Sequence, residues 1–249
     1  MTMGYPPGVT SELPGARMQS RALHFFWLLD CSSSMSVNGK MGSLDFAIRE
    51  SLPAIRSAAA SNPAAELLMR AVTFGEQAAW VDKAPVAADA FVWRGVKPSG
   101  GTRMGAAFSL VAAELATPPM PPRAIPPVLV LVSDGQPTDD WQGGLRALDQ
   151  SPWGRRAVRM AVGIGDDVDV PMLNKFLNNP ENKVLRADDG RQLVEQIRWA
   201  STNAVRAASA LGGHPAADPT KRIEPSDRVP GAQPPPVRPN ILDPNGDVW

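Results

Sequence analysis

Three short polar segments hold the residues of this chain that could do chemistry: Asp30-Cys31-Ser32-Ser33-Ser34, Ser99-Gly100-Gly101-Thr102 and Ser133-Asp134-Gly135. Alternate spacing in the first turns Asp30, Ser32 and Ser34 to one side while Cys31 and Ser33 point away. Gly100 and Gly101 let the second backbone approach closely, and Gly135 relaxes the turn after Asp134. Brought together, Asp30, Ser32, Ser34, Thr102 and Asp134 offer oxygen donors only. Such a set suits Mg²⁺ or Mn²⁺, hard ions that prefer octahedral geometry and usually retain waters. Three neutral hydroxyls beside two carboxylates leave the ion electron-poor, so it should take a further anionic oxygen from outside.

The elements around these segments must place them at one edge. His24–Leu29 is an uninterrupted apolar or aromatic run that ends at Asp30, and Val128–Val132 is a second that ends at Ser133. Runs of that kind read as strands buried on both faces of a parallel sheet. Open α/β sheets place their ligand crevices at the C-terminal ends of such strands. A helix is expected over 43–60, with Leu44, Ile48, Leu52 and Ile55 on one face and Pro53 bending or dividing it. Leu67–Phe74 and Ala78–Val81, joined by Gly75-Glu76-Gln77, predict a hairpin with one antiparallel member. Helices over 103–116, 139–148, 171–177 and 191–210 alternate with strands over 128–132, 157–164 and 183–186, after a proline-rich connection at 117–127. That alternation implies right-handed crossovers and a doubly wound, mainly parallel α/β sheet with one antiparallel edge strand and helices on both faces.

Composition narrows the class of function. The 249 residues are 43% hydrophobic, ample for a core, and Lys+Arg and Asp+Glu number 25 each, so no overall field calls for nucleic acid or an anionic membrane. Apolar runs are strand-sized, short of the roughly 20 residues of a membrane span. The first residues show no apolar h-region, and the one cysteine, Cys31, fits a reducing compartment; a cytoplasmic protein is expected. Residues 1–21 read as an irregular arm, 22–210 as the folded domain and 211–249 as a Pro-rich tail, since 214–249 hold nine prolines and little periodic apolar pattern.

Asp30-x-Ser32-x-Ser34, Thr102 and Asp134, in that order and on those elements, resemble the metal-ion-dependent adhesion site of von Willebrand factor type A domains. The resemblance spans roughly residues 22–210 and implies a Rossmann-like fold. It implies that the serines and threonine ligate a divalent ion directly or through water, that the aspartates complete the shell, and that a partner's Asp or Glu fills the last position. Ser133–Asp139 (SDGQPTD) and Val162–Gly165 (VGIG) look most like the bacterial intracellular branch, the tellurium-resistance-associated (TerY-like) A domains. That branch is associated with a protein kinase and a PP2C-type phosphatase in stress or phospho-signalling. Ser33 departs from the family, which usually has Gly there.

Blander explanations compete at each position. A strand-ending Asp followed by serines often only caps a helix; it is the register with Gly-Gly-Thr and Asp134-Gly135 that makes the set a motif. Cys31 is a small inward-turned side chain rather than a reactive thiol. His24 lies about 20 Å from Asp30 along the strand and is structural. Asp166, Asp167 and Asp169 could suggest a second cation site, but acids before a helix N-terminus explain them better. The tryptophans lack an interleaved basic groove for nucleic acid. Enzyme classes fare poorly. Ser32 stands where a haloacid-dehalogenase phosphatase needs a second Asp, no nucleophile elbow accompanies a histidine base, and no GxxxxGK[ST] loop occurs. The expected function is therefore a metal-dependent protein-binding module. Metal-assisted hydrolysis and a passive scaffold with an inactive metal site are the alternatives.

Overall fold

The computed structural model describes residues 20–165 and 168–212. The expected N-terminal arm and Pro-rich tail, His214, and the acids Asp166 and Asp167 lie outside these residues, apart from the few positions where arm and tail adjoin the domain.

Strand β1 (Arg21–Asp30) is the centre of the sheet. Its residues alternate between two cores, which is why an unbroken apolar run can be buried on both sides. Leu23, Phe25, Trp27 and Leu29 face helices α1 (Lys40–Ala60) and α5 (Gly190–Gly212). Phe26 and Leu28 face the layer of α2 (Met104–Glu114), α3 (Trp141–Gln150) and α4 (Val170–Leu177). Leu44, Ile48, Leu52 and Ile55 do form the buried face of α1, which packs along α5. Pro53 does not divide α1; the helix runs through it with the proline on the exposed side.

The remaining strands are β2 (Ala65–Phe74), β3 (Ala78–Trp80), β4 (Val86–Ala87), β5 (Ile125–Ser133), β6 (Val158–Ile164) and β7 (Leu185–Ala187). Their order is β3-β2-β1-β5-β6-β7, parallel from β2 to β7. The antiparallel edge consists of two short pieces rather than one strand: β3 pairs with Val72–Phe74 and β4 with Leu68 and Met69. The two-residue β4 has no periodic pattern that would announce it.

Most element boundaries shift by one to three residues from those expected, and three of the shifts have a local reason. β5 begins at Ile125 and includes Pro126 and Pro127. Both fall where the β1–β5 register shifts, between Leu23↔Ile125 and Phe25↔Val128, and β6 pairs only from Val128 onward, so the missing N–H groups break no regular ladder. Helix α3 starts at Trp141 because Asp140 caps it, accepting from Gly143 N at 2.9 Å. Asp139 is used elsewhere, as described below. β7 ends at Ala187, its backbone carbonyl receiving Gly165 N at 2.9 Å.

Sheet order reverses at β1: the chain moves from β1 to β2 on one side, then returns across it to β5 on the other. The C-terminal ends of β1 and β5 therefore flank the switch point, where crossovers diverge and leave a crevice. Among the described residues no helix is long and apolar enough to cross a membrane.

Candidate metal centre

Asp30 lies at that switch point and is fully buried. Its Oδ1 accepts from the backbone N–H of Ser32 at 2.8 Å, closing a tight turn, and its Oδ2 accepts from Ser133 Oγ at 2.5 Å. Burial is the main cause that lifts its carboxyl to about 6, and the nearby Asp134 charge adds to it; the hydrogen bonds from Ser133 and Ser32 oppose the rise. A buried carboxyl in this state is under-compensated. Ser32 is buried, Ser34 is exposed, and their hydroxyls are 2.9 Å apart, on the same side of the loop as alternation requires. Ser33 and Cys31 point elsewhere: Ser33 is exposed, while Cys31 is buried and burial pushes its thiol up, which keeps it protonated.

The three loops are tied to one another through backbone. Ser33 N donates to Gly100 O at 3.0 Å and Ser99 N to Cys31 O at 2.6 Å, joining the first loop to the second. Thr102 N donates to Thr138 Oγ1 and Thr138 N to Thr102 O, both at 2.9 Å, joining the second to the third. Gly101 makes this approach possible, since a Cβ there would lie 2.8 Å from Thr138 Oγ1. Asp139 completes the clasp: its two oxygens accept from Gly105 N at 2.8 Å and Ala106 N at 2.9 Å, capping α2 directly after Thr102. Thr102 itself is 5% exposed, at the rim of the crevice.

Asp134 follows the end of β5 and is buried. The strand register, Leu29 beside Val132, places Ser133 next to Asp30, and Ser133 Oγ also accepts from Gly135 N at 2.8 Å. Gly135 adopts φ +86°, a left-handed turn that any other residue would strain. Lys40 Nζ stands 3.7 Å from Asp134 Oδ2.

All five residues singled out from sequence thus occupy the loops at one sheet edge. The donors are oxygens throughout, with two carboxylates and three hydroxyls, a set that fits a hard divalent cation; among the described residues no group of three His, Cys, Asp or Glu side chains competes as a site. Four residues of the arrangement were not foreseen as part of it: Ser133, Lys40, Thr138 and Asp139. Ser133, Thr138 and Asp139 lie in the Ser133–Asp139 segment that resembles the family, but nothing in the sequence pairs them with Asp30, Thr102 or α2, and Lys40 had no signal. His24 is buried and stacks on Phe26 at 5.9 Å, away from this edge, and Asp169 caps α4 through Met172 N at 2.9 Å.

Residues 86–199 match the family model of the von Willebrand factor type A domain. The match includes Thr102 and Asp134, whereas Asp30, Ser32 and Ser34 precede it. No curated protein matches the chain in sequence. Solved structures share its fold: a von Willebrand factor type A protein from Catenulispora acidiphila has TM-score 0.60 and 19% identity, over 74% of this chain and 43% of that one. Proximal thread matrix protein 1 from the mussel byssus, with a zinc-occupied MIDAS motif, has TM-score 0.53 and 17% identity, over 76% of this chain and 46% of that one. The manganese-loaded TRAP protein of Plasmodium vivax has TM-score 0.52 and 17% identity, over 72% and 74%. The chain spans less than half the length of the first two. The segment 86–199 is thus similar to the von Willebrand factor type A domain, and the chain shares the fold of these solved structures.

Proposed function

We propose that this domain is a metal-dependent protein-binding module in which Asp30, Ser32, Ser34, Thr102 and Asp134 hold a divalent cation. The observation that carries the reading is the convergence of three loops at the sheet's switch point, with oxygen donors only and a buried, under-compensated Asp30 among them. When bound, the cation supplies a Lewis-acidic position for an acidic side chain of the partner. Asp30, held on both oxygens by Ser32 N and Ser133, orients the first loop; Ser32 and Ser34 present hydroxyls from it, and Thr102 and Asp134 close the set from the other two.

Mg²⁺ or Mn²⁺ is the ion proposed. Two structural neighbours hold a metal, zinc in the mussel protein and manganese in the Plasmodium protein, which supports a divalent cation here. The partner is proposed to be a protein presenting Asp or Glu, with the protein kinase and PP2C-type phosphatase of a bacterial stress or phospho-signalling system as candidates and the cytoplasm as the compartment. Binding rather than catalysis is proposed, and so is the affinity with the tellurium-resistance-associated branch. Titration of the chelated full chain with Mn²⁺, followed by the electron paramagnetic resonance of the free ion, tests the metal site. One saturable site lost in Ser32→Ala/Ser34→Ala is expected; no saturable binding would refute the reading.

A further inference from the structure

Lys40 is a cation in an unfavourable place for its own helix. It is the first residue of α1, where the helix dipole disfavours positive charge, and the first turn holds no acid to offset it. What holds it is Asp134 on the far loop, 3.7 Å away, with the lysine side chain 20% and the aspartate side chain 8% exposed. Its path is kept clear by Gly165, where a Cβ would lie 3.2 Å from both Cε and Nζ of Lys40. Lys40 also lines a cavity of about 300 Å³ whose other walls include Ser34, Ser43, Asp188 and Asp189. The ammonium thus has one ion-pair partner within 4 Å among the described residues, and open space with two further carboxylates beside it.

Resting on the metal-site reading above, we propose that Lys40 is a tethered competitor for the metal: its ammonium neutralises Asp134 in the metal-free domain and yields that carboxylate to a divalent cation by turning into the cavity toward Asp188 and Asp189. A lysine and a divalent ion on one carboxylate repel each other strongly where solvent screening is poor. Displacing the lysine therefore lowers the metal affinity that the five oxygen donors would otherwise give. The metal would be held only at the concentrations that overcome this internal cation, and the cavity beside Ser34 would change charge as it bound.

The test uses the full chain as wild type, Lys40→Met, Lys40→Gln and Lys40→Arg, titrated with Mn²⁺ and melted with and without it. The two neutral variants should bind Mn²⁺ up to about fivefold more tightly than wild type, while Lys40→Arg, which keeps the charge, should stay near wild type. Without metal the neutral variants should melt below wild type, and saturating Mn²⁺ should abolish or reverse that order, which a merely structural lysine would not produce. Equal Mn²⁺ affinity in wild type and both neutral variants would overturn the proposal and leave the metal site standing, as would Lys40→Arg binding as tightly as Lys40→Met. Absence of saturable binding in every protein would remove the metal site and this proposal together.

Discussion

Thr102 and Ser133 sit on either side of the same crevice but serve it differently. Thr102 is tied into the fold by its backbone, through Thr138 N and Oγ1, and these bonds survive loss of its hydroxyl. Thr102→Ala should therefore change stability by no more than about 1 kcal/mol while weakening Mn²⁺ binding, as urea unfolding and metal titration on the same preparation would show. Ser133 is the converse. Its hydroxyl donates to the buried Asp30 Oδ2 and accepts from Gly135 N, so Ser133→Ala orphans two buried groups at once. A loss of about 1–3 kcal/mol in metal-free stability is expected, together with weaker Mn²⁺ binding, although Ser133 is not a proposed ligand. Unchanged urea midpoints would contradict this. The difference explains what could be read from the chain at this scale. Asp30, Ser32, Ser34, Thr102 and Asp134 announce themselves by type and spacing within short segments. Ser133, Lys40, Thr138 and Asp139 take their meaning from partners dozens of residues away, and only strand register and loop closure reveal those pairings.

Strand β1 has a polar residue in its interior, and its titration should mark the whole element. Burial lowers His24 to about 4, and its Nδ1 has no hydrogen-bond partner among the described residues. Folded His24 stays neutral where an unfolded histidine, near 6.5, takes a proton; it therefore contributes stability that is complete above about 6.5 and lost as pH falls toward 4. Asp30 acts in the opposite sense: its folded value of about 6 lies above the unfolded 3.8, so its contribution is complete below 3.8 and lost as pH rises through 6. In metal-free wild type the two slopes oppose each other between about 4 and 6. His24→Phe, which keeps a ring beside Phe26, should leave the Asp30 slope alone, so that the variant gains stability on acidification over that window. The difference between the two proteins should change by roughly 3 kcal/mol from pH 7 to pH 4, measured by urea unfolding in chelator; parallel pH profiles would refute it. Elements with a long apolar period, such as β1, β5 and α1, were legible in the chain. Those set by single side chains were not: α3 starts late because Asp139 is drawn to the N-terminus of α2, and β5 starts early because a register shift accommodates Pro126 and Pro127.

At the scale of the molecule, the order of strands does what no loop could do alone. Because β1 and β5 are neighbours and their crossovers leave in opposite directions, Asp30 and Ser133 meet while the first and third loops stay open above them. The alternation of strands and helices made a doubly wound sheet legible, but not which strands adjoin. Charge is balanced across the chain, with 25 basic and 25 acidic residues, so a partner gains little from long-range attraction and specificity must come from the site itself. Partner binding should therefore require Mg²⁺ or Mn²⁺, vanish in excess chelator and depend on one acidic residue of the partner. Ca²⁺ should substitute poorly, being larger and wanting more oxygen ligands than these loops provide. The decisive protein is Ser32→Ala/Ser34→Ala. The two hydroxyls face each other at 2.9 Å, so replacing both leaves neither without that partner, and Asp30, though it gives up the Ser32 hydroxyl, keeps Ser32 N and Ser133 Oγ. The double variant should thus fold with stability within about 1 kcal/mol of wild type in the absence of metal, yet show no shift in melting temperature on adding Mn²⁺ and no metal-dependent capture of the partner. A metal-induced shift equal to that of wild type would show that these hydroxyls hold no ion, and partner affinity unchanged in chelator would leave the fold as a scaffold whose contact surface lies elsewhere.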